Sequence, residues 1–207
     1  MIFGDIHGLR RFVGTLAAVL GLTLLPLAAG QAEPRKQDAD LDHVSIYWSI
    51  SHGGFSKVTG QFRKINKVDF TFDRDDVSKS AVTVDVEAAS LDSNHPYRDN
   101  WARSEAELNV WKFRTIKFES TQIEKTGENT GKMTGNLTMH GETHPITMDV
   151  TYNKGGKHLS GQYSLDGFTA RGSLKRSDFG MKAFIPWVGD DMDFVIQLEA
   201  KRPNDPS

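Results

Sequence analysis

Met133-Thr-Gly-Asn-Leu-Thr-Met139, then His140-Gly141, then Glu142-Thr-His-Pro-Ile-Thr-Met-Asp-Val-Thr-Tyr152: this stretch decides the fold. In its first half Met133, Gly135, Leu137 and Met139 alternate with Thr134, Asn136 and Thr138. In its second half Ile146, Met148, Val150 and Tyr152 alternate with Thr147, Asp149 and Thr151. Successive side chains of a strand point to opposite faces, so each half has one apolar face and one wet face. His140-Gly141-Glu142 supplies turn chemistry between them. The stretch predicts two antiparallel strands of a sheet that is solvated on one side.

The same period of two spreads outward in both directions. Val44, Ile46, Trp48 and Ile50 carry it, as do Val68, Phe70 and Phe72. It returns in Val82, Val84, Val86 and Ala88, and in Ile116 and Phe118. Phe168, Ala170, Gly172 and Leu174 repeat it, and Met192, Phe194, Ile196 and Leu198 close the series. Gly127-Glu-Asn129, Gly155-Gly156 and Asp166-Gly167 read as further turns. About eight strands with no long amphipathic helix between them predict an all-β chain. Eight is the number that closes into an antiparallel barrel, filled or holding one small ligand, although a β-sandwich uses the same pattern. The alternation breaks between 96 and 113, where Trp101, Leu108 and Trp111 fall near helical spacing. Asn94 as a cap and Pro96 in the first turn predict a short helix across one barrel end, as a plug or a gate.

Ahead of the strands, Arg10 and Arg11 precede an apolar run from Phe12 to Ala29, followed by small residues at Gly30 and Ala32. These are the three parts of a secretory signal, expected to span residues 1–32. Pro26 and the run's modest length argue against a retained membrane anchor. Residues 33–40, charged and containing Pro34, read as a flexible N-terminal tether. The barrel domain is expected over 41–202, with a C-terminal tail at 203–207 marked by Pro203 and Pro206. Without residues 1–32 the chain has 175 residues, 23 of them basic (25 less Arg10 and Arg11) and 26 acidic (27 less Asp5), a net charge of −3. That balance lacks the basic face of a nucleic-acid binder and predicts no strong pull toward anionic lipid. The chain has no cysteine, so it forms no disulfide, lipid-modified thiol or cysteine-ligated metal site.

Catalytic chemistry is hard to find. No G-x-S-x-G elbow and no thiol nucleophile occur. His140-Gly-Glu-Thr-His144 has metal-like spacing, but Gly141 and Pro145 make it a turn, so its imidazoles lack the shared helix face of H-E-x-x-H. Asp178-Phe-Gly180 matches the kinase magnesium loop in letters only. The alternation puts His43, Asp69, Asp85 and Glu87 outside, so a non-catalytic chain is expected. What stands out is the apolar material available to one interior. Trp48, Ile50, Phe55, Phe62 and Phe70 are candidates, with Phe113, Phe118, Leu137 and Met139 after them. Phe168, Phe179 and Phe194 follow, and Phe184 and Trp187 are further aromatics. They either pack the barrel or line a cavity for an apolar tail, which gains about 0.8 kcal/mol per buried methylene without any polar partner.

Several ordered motifs sharpen the choice. Asp42-His43 leads into Ile46-Tyr47-Trp48, and His52-x-Gly54-x-Ser56-x-Val58-x-Gly60-x-Phe62 follows. Arg98-Asp99 and Ser104 come next, then Thr115-Ile116-x-Phe118-x-Ser120-Thr121 and Gly135-x-Leu137-Thr138-x-His140-Gly141-x-Thr143. Arg176-Ser-Asp-Phe-Gly180 and Leu198-Glu199-Ala200 complete the set. In this order the chain resembles the YceI-like family of bacterial periplasmic, lipocalin-like proteins. The resemblance implies an eight-stranded antiparallel barrel around a long apolar cavity, with a polyisoprenoid lipid or quinone as ligand. It also implies a periplasmic location, no stable membrane insertion once the signal is cleaved, and room for a homodimer. His144, Asn100-Trp101 and Trp111-Lys112 depart from the family pattern, all on turns or near the expected helix. On this reading Trp101, Leu108 and Trp111 close the mouth, and Arg98, Arg103 or Arg176 meets the head group. The rival readings are a packed barrel serving as a stress-response or partner-binding module, and an enzyme acting on such a lipid.

Overall fold

The computed structural model describes residues 34–204; the expected signal segment and residues 205–207 lie outside the described residues. Eleven strands and one α-helix follow in chain order among the described residues. They are β1 (Arg35–Ala39), β2 (Ser45–His52), β3 (Ser56–Phe62), β4 (Ile65–Phe72), β5 (Ala81–Glu87) and β6 (Leu91–Asp92), then helix α1 (Pro96–Arg103). After it come β7 (Thr115–Lys125), β8 (Thr130–Met139), β9 (Glu142–Lys157), β10 (Ser164–Lys175) and β11 (Val188–Arg202).

All pairings are antiparallel, and the ring β1-β4-β5-β7-β8-β9-β10-β11 closes when β11 meets β1 again, giving the expected eight-stranded barrel. β2, β3 and β6 extend the wall from the other part of the same β11 edge. The β8–β9 hairpin turns through His140 and Gly141, both at positive φ (54° and 84°). Two such residues make the turn whose twist matches that of the strands it joins.

Three local expectations are corrected. The stretch expected to be a flexible tether contains β1, which bridges β4 and β11 and closes the barrel. Its register is held by backbone bonds with Gln37 buried, and its charged sequence has no apolar alternation to reveal it. Gly155-Gly156 and Asp166-Gly167 lie inside β9 and β10, and the connection falls between them, at 158–163. Gly155 sits where Tyr152, Asp166 and Arg74 converge, leaving no space for a side chain. Finally, α1 ends at Arg103, and His95 caps it by accepting from the Arg98 N–H, while Asn94 takes a left-handed turn. Leu108 and Trp111 therefore belong to the turns after the helix.

Candidate ligand cavity

The inner faces of the ring strands, with Ile46 and Trp48 of β2 and Phe62 of β3, line an apolar cavity of about 470 Å³. Three bulky rings that would fill it lie against glycines instead. Trp48 of β2 covers Gly60 of β3, Phe194 of β11 covers Gly172 of β10, and Phe118 of β7 covers Gly135 of β8; a Cβ at any of these glycines would overlap the ring. Each ring thus occupies space that a neighbouring side chain would otherwise take, and lies along the wall. That arrangement keeps the axis of a small barrel open. Phe70, Phe72, Tyr152 and Phe168 form a second aromatic layer, with contacting ring centroids 5.0–6.2 Å apart.

The structure divides the sequence candidates into groups. Trp48, Phe62, Phe70, Phe118, Leu137, Met139, Phe168 and Phe194 line the cavity. Ile50, Trp101 and Leu108 line a smaller apolar space of about 160 Å³ under α1, which shares Trp48, Phe62, Met139 and Met192 with the main cavity. Phe55 (82% exposed) and Trp111 (83% exposed) lie on the surface, contrary to the expectation that they face inward. Phe55 packs on Trp187 at the tip of the β2–β3 hairpin. Phe113 meets His140 edge-on, and buried Phe179 meets His144 in the same way, both outside the cavity lining. The His140 Nδ1–H donates to the Phe179 carbonyl at 2.8 Å, so this imidazole braces the turn.

The arginines expected to meet a head group are engaged by the protein itself. Arg176, its side chain 5% exposed, pairs with Glu107 at 2.9 Å and donates to the carbonyls of Met181, Ala183, Val188 and Gly189. Arg98 donates to Ser93 Oγ and to the Ser93 carbonyl, and Arg103 to the Leu91 carbonyl. Together they tie down the irregular chain at the α1 end. Burial pushes the Glu107 carboxyl up, while the Arg176 charge opposes that shift.

The opposite end is built differently. Arg74, Lys125, Glu128, Asn129 and Thr130, all exposed, line the cavity there, so it opens to solvent between the β4–β5 connection and the β7–β8 turn. Beneath this rim the Asp166 carboxylate, 1% exposed, accepts from Gln37 Nε2 (2.9 Å), Arg202 Nε (2.9 Å), Tyr152 OH (2.8 Å) and Arg74 Nη2 (3.0 Å). Arg74 Nη2 also donates to the Tyr152 hydroxyl oxygen. Burial first, then the bond to Asp166, push the Tyr152 hydroxyl up to about 12, so it remains a donor at neutral pH. Sequence reasoning missed this cluster, although a signal was present. Asp166 continues the inward parity of Phe168 and Ala170, Arg202 that of Leu198 and Ala200, and Lys125 that of Ile123. A charged residue on an apolar face needs a partner or an opening.

The profile of the YceI-like domain matches residues 38–200. A UPF0312 protein of Serratia proteamaculans is 38% identical over 188 residues, covering 89% of this chain and 96% of its own. Among solved structures, Burkholderia cenocepacia BcnA superposes with a TM-score of 0.72 at 20% identity, over 79% of this chain and 99% of its own. A polyisoprenoid binding domain from Saccharophagus degradans, implicated in plant cell wall breakdown, superposes with a TM-score of 0.56 at 12% identity, over 81% and 98%. At these identities the two structures speak for the fold. No helix among the described residues is long and apolar enough to cross a membrane.

Proposed function

The chain belongs to the YceI-like family, and from that premise we propose that it is a non-catalytic carrier holding one long apolar chain, of isoprenoid type, inside its barrel. The observation that carries this reading is the open lumen backed by glycine-seated rings. From Ile116 to Lys125 the inner wall runs nine residue steps along β7. At about 3.3 Å per residue and a strand tilt near 40°, that is a lumen of about 23 Å along the barrel axis. One leaflet of a bilayer's hydrocarbon core is about 15 Å deep, so the lumen can enclose a full lipid chain in extended form. Each methylene transferred from water adds about 0.8 kcal/mol, which gives affinity without a catalytic motif. The polyisoprenoid-binding domain that shares this fold supports the same class of ligand. The arginine pair and apolar run ahead of the barrel support export, with the periplasm as the place of action.

The test is organic extraction of protein purified from its native host, followed by mass spectrometry. A stoichiometric lipid bearing an isoprenoid-type chain is expected. An extract free of lipid, together with no uptake of added isoprenoids, would overturn the reading.

A further inference from the structure

An amphiphile needs a place for its polar end, and the two ends of the lumen offer different chemistry. At the α1 end Arg98, Arg103 and Arg176 donate to backbone carbonyls, Ser93 and Glu107, and hold the fold together. At the open end Arg74 is 55% exposed, with Nη2 anchored by the buried Asp166 carboxylate and the Tyr152 hydroxyl. No described residue engages its Nε or Nη1, so one edge of the guanidinium is fixed and the rest is available to a ligand. Lys125 continues the inward face of Ile123 on the same rim and has no ion-pair partner among the described residues. Glu124, also at the rim, turns to the outer face, where it accepts from Gln122. Glu128 in the β7–β8 turn is the remaining rim carboxylate.

We propose that the rim formed by Arg74 and Lys125 binds the head of the carried molecule, and that this head is an oxygen acceptor bearing a single negative charge. The inference rests on the carrier reading and assigns which way the ligand enters: chain first, toward α1, with its head at the β7–β8 turn. An anchored arginine is a suitable receiver for such a head, because its planar donors are already oriented and little freedom is lost on binding. A diphosphate would bring a larger negative charge beside Glu128 on the same rim, with two cations to offset it. A neutral alcohol would leave Lys125 and the outward edge of Arg74 without an anionic acceptor. Tyr152 acts as a positioning residue, since its hydroxyl already accepts from Arg74 and donates to Asp166.

The experiment measures binding of a chain-matched series, in which one long saturated chain carries a carboxylate, alcohol, diphosphate or trimethylammonium head. The full-length folded protein is used after delipidation. The carboxylate should bind about tenfold tighter than the alcohol, the margin of one charge-assisted hydrogen bond, and the margin should shrink in high salt. Arg74→Gln and Lys125→Gln should each remove most of that margin while leaving alcohol affinity within about twofold, because the chain contacts are untouched. Lys125→Gln breaks no contact of the fold and keeps the test decisive if Arg74→Gln disturbs Asp166. Equal binding of carboxylate and alcohol, a margin insensitive to both substitutions, or tightest binding of the diphosphate would overturn the head assignment and leave the carrier reading standing. Failure of every chain to bind would overturn both.

Discussion

The two ends of this barrel each hold a buried ion pair, yet only at the open end does that pair include a cation exposed to solvent. At the α1 end Arg176 is enclosed, its donors divided between Glu107 and four carbonyls of the irregular chain around it. At the open end Asp166 is the enclosed partner, and Arg202 and Arg74 approach it from different sides. A buried carboxylate tied to two guanidinium groups can leave one of them reaching outward. A buried arginine saturated by carbonyls cannot. The position of the charge relative to the lumen therefore separates a structural ion pair from a binding rim, and residue type alone does not.

Removing the enclosed arginine should have the largest effect. Arg176→Met leaves Glu107 buried without its counter-charge, and the loss should be about 3–5 kcal/mol in urea denaturation. Head selectivity of whatever remains folded should be unchanged; a stable variant with lost selectivity would erase the distinction between the ends. Filling the lumen comes next. Gly172→Leu should drive the Phe194 ring off its seat and toward the axis, at a cost of about 1–3 kcal/mol from overpacking. Chain binding should weaken for every head alike, as isothermal titration would show.

A subtler prediction concerns alkaline pH at the open end. The Tyr152 hydroxyl has a folded-state pKa raised from 10.0 to about 12, so its contribution to stability is complete below pH 10. That contribution is lost as pH climbs from 10 to 12, since the folded state holds the proton more tightly than the unfolded chain. Tyr152→Phe should lower stability at neutral pH and show a shallower decline over that window, measured as the difference between the two urea midpoints. It should also remove the tyrosinate absorbance step near pH 12. The smallest effect belongs to Trp111→Ala. This ring is 83% exposed and lines neither cavity, so stability should move by less than about 0.5 kcal/mol and lipid uptake should stay as it was.

Much of the molecule was legible in its residues because burial on one face imposes a period of two. The runs around Phe70, Val84, Phe118, Leu137, Met148, Phe168 and Phe194 became strands of the closed ring, and the run around Trp48 became β2 beside it. β1 and β3 were not legible: β1 is held by backbone pairing, and the inward face of β3 carries only Val58 and Phe62 around Gly60. In the site, the lining aromatics followed from parity, whereas Phe55 and Trp111 show that aromatic content by itself carries no direction.

By itself the sequence determined an antiparallel all-β chain, the faces of most of its strands and its family. Those properties are local, written in alternation, turn residues and ordered motifs. Only the tertiary structure decided that rings fold onto cross-strand glycines and leave a lumen, that β1 closes the ring, and which arginines remain available at a rim. Each of these depends on which residues from distant strands become neighbours, and strand register sets that across gaps as long as the 129 residues between Gln37 and Asp166.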